Sequence, residues 1–181
     1  IDRKLIDQFL HSMSMDLHQV DYNSELYNEY IYGSAEVVGL MCLQVFTEGN
    51  RKQFDELKPY AMKLGSAFQK INFLRDLKED YQTLGRSYFP NVDMELFDRD
   101  IKYQIEKEIE EEFAEALIGI KKLPNSSKFG VYLAYKYYLV LFSKIKKKSP
   151  VEILSNRTRV PNAQKAYVAF KSYLRYKAAV L

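Results

Sequence analysis

Apolar residues in this chain recur every three or four positions and nowhere alternate over the length of a strand, so every long segment predicts helix. Residues 1–17 carry Ile1, Leu5, Ile6, Phe9, Leu10 and Met13 in that rhythm. Ser24 is placed to cap a helix running to about Thr47, closed by the turn Glu48–Asn50. Asp55 to Leu84 predicts a second long helix, with Pro59 tolerated in its first turns and Gly85 as its stop. Asp100 to about Leu123 repeats Ile101, Ile105, Ile109, Phe113 and Leu117 at four-residue spacing, which puts the acids of EIEEEFAE on an opposite, solvated face. Pro124 ends that helix, and Ser126 or Ser127 can cap the next, to about Lys147. A short helix near Val151–Leu154 and a last one from about Ala163 complete an all-α chain. No tandem repeat and no domain boundary interrupts residues 1–181, which read as a single helical domain.

One helix differs from an ordinary amphipathic one. On a wheel of roughly 100° per residue, Gly65, Gln69, Asp76 and Asp80 fall on one side with Asn72. Leu64, Ala67, Ile71, Leu74, Leu77 and Tyr81 take the other arc. Asn72, Asp76 and Asp80 are each one turn apart, so their short side chains hold hard oxygen donors in line about 6 Å apart. Magnesium accepts such ligands, keeps several waters and is completed by substrate phosphates. A bare pair of aspartates four apart is common on solvated helices, where Lys70, Lys78 or Arg75 would pair with it. Gln69 and Asn72 extend this stripe where an exposed helix would favour Lys and Glu. Arg75 lies at its edge, placed to bridge a carboxylate and a phosphate. Arg86 and Tyr88, in GRSYFP, follow where they could close over the helix end.

Composition narrows the class. The chain is 47% hydrophobic and 28% charged, as a globular protein is. Its single cysteine, Cys42, sits in the apolar run VVGLMCLQVF and is expected to be a buried structural thiol, with no disulfide or zinc cluster available. No signal peptide is visible, and the longest apolar runs are too short to span a bilayer, so a cytoplasmic location is expected. A net charge of +3 hides an asymmetry: residues 121–181 hold 14 of the 27 basic residues and a single acid, Glu152, a net of +13. Nucleic acid, an anionic membrane surface or a diphosphate could answer such a basic end. Tyr132, Tyr135, Tyr137 and Tyr138 are spaced as a helical core stripe would be, which argues against nucleic acid.

Two runs resemble a known family. QKINFLRDLKED followed by GRSYFP is similar to the second aspartate-rich signature of the squalene/phytoene synthases, and YIYGSAEVVGLM (Tyr30 to Met41) resembles their other signature. Tyr138 and the segment NRTRVPNAQK, with Arg157 and Lys165, fall where that family has a tyrosine, an arginine and a lysine. The chain departs from the pattern at Glu36, where glycine is usual. The resemblance implies a helical isoprenoid (class I terpenoid) synthase fold and a head-to-head prenyl transferase around a central cavity. It implies that Asn72, Asp76 and Asp80 hold Mg²⁺, with Mn²⁺ as a substitute. It further implies that Arg75, Arg157 and Lys165 neutralise phosphate oxygens, that Tyr88 and Tyr138 steady the leaving diphosphate, and that Gln69 belongs to the substrate site. Tyr30, Ala35, Val38, Gly39, Met41, Leu64 and Phe68 would line a tube for the isoprenoid tails, or simply pack a core. Gly39 and Gly65 would serve either close helix approach or room for a polyprenyl chain.

The family's first aspartate-rich motif is not found before Tyr30, and the chain opens at Ile1 inside a helical pattern. The expectation is a C-terminal two-thirds of such an enzyme, inactive by itself, exposing apolar surface and prone to self-association. The leading expectation for function is condensation of two geranylgeranyl diphosphates to phytoene. A squalene or dehydrosqualene synthase using farnesyl diphosphate is the near alternative, and a non-catalytic helical assembly protein of the same fold the more distant one. No dinucleotide fingerprint is present, and peripheral membrane contact is expected because the products are insoluble.

Overall fold

The structure is a computed structural model that describes residues 1–17, 22–82, 88–90 and 97–178. Every regular element among them is helical: α1 (Arg3–Met15), α2 (Ser24–Ile31), a π-helical turn (Tyr32–Glu36), α3 (Val37–Phe46), α4 (Arg51–Gln82), α5 (Arg99–Lys122), α6 (Asn125–Lys146), α7 (Pro150–Ser155) and α8 (Asn162–Lys177). Several boundaries differ from expectation for local reasons. Asn23, not Ser24, caps α2, since its side-chain oxygen accepts from the Leu26 amide at 2.9 Å. Asn50 accepts from the Gln53 amide and starts α4 four residues early, which leaves Pro59 well inside the helix. Neither Ser126 nor Ser127 caps α6, which begins at Asn125 without a side-chain cap. Ser149 and Glu152 close a reciprocal capping box on α7. Gly85, Arg86 and the side chain of Tyr81 lie outside what is described.

The path from Ser24 to Phe46 is continuous, as expected, but holds the π turn in its middle. One extra residue in that turn rotates the side chains of α3 relative to those of α2. As a result α2 sends Tyr27, Tyr30 and Ile31 into one apolar cluster, and α3 sends Val37, Leu40 and Leu43 into another. α1 crosses at Gly33, where an added Cβ would stand 2.7 Å from the Gln8 carbonyl oxygen.

α4 is the hub, touching α3, α5, α6, α7 and the π turn. Its apolar arc behaves as expected, with Ala67, Ile71, Leu74 and Leu77 buried. The same side also buries a charge: Lys70 is 3% exposed. Its ammonium donates to Glu108 at 2.5 Å and to Glu112 at 2.8 Å, and Ser66 donates to the same Glu112 oxygen at 2.9 Å. The acids of α5 are therefore not one solvated face. Glu112 meets α4, Glu106 is buried against Lys102, and Glu110 pairs with Lys146 at the end of α6. Glu106 is paired within α5 itself, by Lys102 one turn earlier, whereas the cations that meet Glu108, Glu110 and Glu112 come from α4 and α6.

Two predictions follow from this network. Replacing Lys70 by Met leaves the buried Glu112 with only the longer 3.8 Å contact to Lys63 and should cost about 3–5 kcal/mol in urea unfolding, whereas a loss within 1 kcal/mol would mean the pair is solvated. Glu36 is half-buried beside the same network, and burial first, then the Glu112 carboxylate, raise its pKa against the pull of Lys70 and Lys63. The folded state thus holds the Glu36 proton more tightly than the unfolded chain does, so this group lowers stability as pH climbs through the ordinary glutamate range, about 4.3, and above. Glu36→Gln should raise the Tm at pH 7 and give no gain below that range; thermal melts at both pH values check it.

Candidate active site

The C-terminal half of α4 carries the polar stripe, and Asp76 is its junction. Arg75 donates to Asp76 through Nε (2.9 and 3.1 Å) and Nη2 (2.5 Å). Arg157, just beyond α7, brings Nε to 2.7 Å of Asp76 Oδ1 and Nη1 to 3.8 Å of Glu79. Two guanidinium groups therefore bracket one carboxylate that is 19% exposed. The hydrogen bond to Asp76 raises the pKa of Arg75 and keeps that cation charged. One turn earlier, Tyr138 on α6 donates its hydroxyl to Asn72 Oδ1 at 3.2 Å. Asp80, one turn later, is half-buried. Of the competing expectation that Lys70, Lys78 or Arg75 pairs with this stripe, the Arg75 part holds at Asp76, whereas α4 directs Lys70 to α5 instead.

Further up α4, the stripe continues into the wall of a half-open cavity of about 610 Å³ bounded by the π turn, α3, α4, α5 and α6. Ala35, Val38, Gly39, Leu64, Gly65, Phe68 and Gln69 all line it. The two glycines serve close approach and space together. A Cβ on Gly65 would stand 2.5 Å from the Ala35 carbonyl oxygen, and one on Gly39 2.7 Å from that of Ala61, yet both residues face the opening. Phe68 joins cavity to polar cluster, its ring stacked on Tyr138 with centroids 3.8 Å apart. Asn72 Nδ2 reaches Gln69 Oε1 at 3.5 Å across the same seam. Cys42 is a correction: α3, apolar except at Gln44, turns the thiol onto the cavity wall, where it is exposed and not buried in the core.

Tyr30, Met41 and Tyr88 are not in that wall. Tyr88 stacks on Phe73 at 4.3 Å and lies 5.2 Å from the Tyr30 ring, inside an aromatic cluster with Tyr22. The hydroxyls of Tyr30 and Tyr88 reach the two carboxylate oxygens of Asp16 at 3.0 and 3.4 Å. Burial, the Tyr88 hydroxyl and Asp16 together push the Tyr30 pKa far above its ordinary value, so this phenol stays protonated in the folded protein. Met41 packs in the second apolar cluster. Lys165 is exposed on α8, and among the described residues its ammonium joins no ion pair; its carbonyl accepts from Tyr137 at 3.0 Å. Asp16 was not marked by sequence, because a single acid after α1 has no spacing partner to distinguish it.

The oxygens of Asn72, Asp76 and Asp80 form a hard donor set, in keeping with magnesium. Among the described residues no three His, Cys, Asp or Glu side chains form a self-sufficient metal site. A cation here would need phosphate oxygens and water to complete it, which is how magnesium is usually held.

Comparison with known proteins follows the same lines. The squalene/phytoene synthase family model matches residues 1–164. The chain is 31% identical over 100 residues to a 4,4'-diapophytoene synthase of Staphylococcus haemolyticus, covering 52% of this chain and 34% of that protein. It is 33% identical over 97 residues to a bifunctional lycopene cyclase/phytoene synthase of Phycomyces blakesleeanus, covering 50% of this chain and 16% of the other. The crystal structure of a dehydrosqualene synthase in complex with ligand superposes with a TM-score of 0.76 at 24% identity, over 98% of this chain and 66% of that one. The matched part of the chain thus spans about a third of the curated diapophytoene synthase. The fold is the all-α isoprenoid synthase fold, and with nearly its whole length matched the chain belongs to the squalene/phytoene synthase family.

Proposed function

We propose that this chain provides the diphosphate-gripping half of a head-to-head prenyl transferase that joins two prenyl diphosphates and releases diphosphate. The observation that carries the reading is the adjacency along α4 of an apolar cavity and a carboxylate held by two arginines. Such a cavity suits a hydrocarbon tail, and its volume is in the ordinary range for ligand pockets of about 300–1,000 Å³. Arg75 and Arg157 each have guanidinium donors beyond those given to Asp76, so they can bridge the carboxylate and a substrate phosphate. Lys165, exposed on α8, would add charge at the outer edge.

Asn72, Asp76 and Asp80 would hold Mg²⁺, which supplies charge neutralisation of the departing diphosphate. Tyr138 orients the Asn72 oxygen through its hydroxyl and presents a ring stacked with Phe68 to the start of the cavity. An aromatic face there favours an allylic cation, and the dry wall beyond excludes the water that would quench it. Tyr30, Tyr88 and Asp16 act from behind, fixing α2 and the segment after α4 against each other.

Two geranylgeranyl diphosphates, giving phytoene for carotenoid synthesis, are the first substrate reading. The diapophytoene and dehydrosqualene synthases among the similar proteins favour farnesyl diphosphate as the second. We place the enzyme in the cytoplasm, at the membrane periphery where its products must be delivered. The test is product formation by the full-length protein with Mg²⁺ and either diphosphate. Turnover should fall at least about a hundredfold in Asp76→Ala and about tenfold or more in Tyr138→Phe. Turnover of neither substrate would sink the reading and favour a non-catalytic scaffold of the same fold.

A further inference from the structure

On the far side of α4 from the apolar cavity, α2, the π turn, α4 and α5 border a second, half-open cavity of about 380 Å³ with an ionic lining. Three carboxylates, Glu36, Glu108 and Glu112, share it with two ammonium groups, Lys63 and Lys70, so full ionisation leaves one negative charge in excess. The donors that reach Glu112 all take one oxygen. Lys70 meets Oε1 at 2.8 Å, Ser66 at 2.9 Å and Lys63 at 3.8 Å. The other oxygen, Oε2, is buried with under 1 Å² of accessible surface and, among the described residues, accepts no hydrogen bond. Such an atom has no room beside it for a water, and a buried carboxylate oxygen without a donor is costly. Its partner is therefore to be sought among groups already packed around it.

Glu36 lines the same cavity, and among the described residues its carboxyl makes no hydrogen bond or ion pair. Glycine, usual in the family at this position, would bring no such group. The backbone there has little freedom: a Cβ on Gly65 would stand 3.1 Å from the Glu36 Cα, so the turn is pressed against α4. The charged and titratable groups around Glu36 are Lys63 and Lys70 from α4, Glu108 and Glu112 from α5, and Tyr32 from the turn itself. α2 adds the neutral Asn28, and α1 and α3 add nothing to the lining; His11 of α1 faces Glu29 instead, at 2.9 Å. Burial first, and then the Glu112 carboxylate, favour the protonated form of Glu36 against the opposing pull of Lys70 and Lys63.

We propose that Glu36 and Glu112 share one proton, the Glu36 hydroxyl donating to Glu112 Oε2, and that this proton clasps the π turn to α5. Two coupled carboxyl groups titrate as a pair. Below the pair's midpoint the clasp is closed. Above it, two like charges face each other across the cavity and the turn loosens. The turn carries Ser34 and Ala35 on the wall of the apolar cavity, so the clasp makes that wall sensitive to pH. The inference holds whichever reaction the apolar cavity serves.

The experiment is a pH series on the full-length protein, comparing wild type, Glu36→Gln and Glu36→Ala by thermal melts and by amide hydrogen exchange over the turn. Gln keeps a donor for Glu112 Oε2 at every pH, whereas Ala removes it. At mildly acidic pH, Glu36→Ala should lower the Tm by about 2 °C or more and Glu36→Gln should not. At alkaline pH both variants should melt above wild type. Carboxyl carbon resonances of glutamate-labelled protein should show one glutamate titrating above the ordinary range, and Glu36→Gln should remove it. Through that titration, exchange in the turn, corrected for its intrinsic pH dependence, should rise about threefold or more in wild type and stay level in Glu36→Gln. Ala and Gln variants that melt together at every pH would overturn the proposal, because burial alone would then hold the Glu36 proton. Turn exchange that stays level in wild type, or the absence of a glutamate titrating above the ordinary range, would overturn it as well.

Discussion

The buried ion network between α4 and α5 sets the geometry on which the rest depends. Lys70 is buried on one side of α4 among Ala67, Leu74 and Leu77, and its ammonium is met there by Glu108 and Glu112. That requirement fixes the rotation of α4 about its own axis, because a turn in either direction would strand a charge in the interior. With the rotation fixed, Asn72 and Asp76 on the far side must face α6 and the segment after α7, where Tyr138 and Arg157 wait. One helix therefore does three jobs on three faces, and the buried lysine keeps them in register.

The same helix joins hydrocarbon to charge. Gly65 and Gln69 open the polar stripe into the cavity, and Asp76 closes it with two arginines. Close passage of α4 past the π turn, allowed by Gly65 against the Ala35 carbonyl, brings α3 near enough to complete the apolar wall. The proposed reaction, which must strip a diphosphate from a greasy chain, would need these two environments in contact, and α4 holds both within a few turns.

Much of this was legible in the sequence because its periods are strong. The apolar arc of α4, the spacing of Asn72, Asp76 and Asp80, and the order of the helices all appear in residue spacing. What stayed hidden depends on distant partners. Glu108 and Glu112 look solvated until Lys70, 38 and 42 residues away, is brought against them. The π turn sits where α1 crosses at Gly33, and no local pattern announces it. Cys42 could not be assigned by period because α3 is apolar except at Gln44, and wall and core look alike in such a segment. Arg157 and Tyr138 were marked only through family resemblance, whereas Asp16, which gathers Tyr30 and Tyr88, carried no mark at all.

The central claim is that Asp76, with its neighbours on α4 and with Arg157, grips diphosphate through a divalent cation. Calorimetric titration of the full-length protein with inorganic diphosphate, with Mg²⁺ and with chelator, tests it most directly. The account predicts binding that requires Mg²⁺ and is lost in both Asp76→Asn and Arg157→Gln, with the fold intact by circular dichroism. Binding that is indifferent to Mg²⁺, or that survives both substitutions, would contradict it.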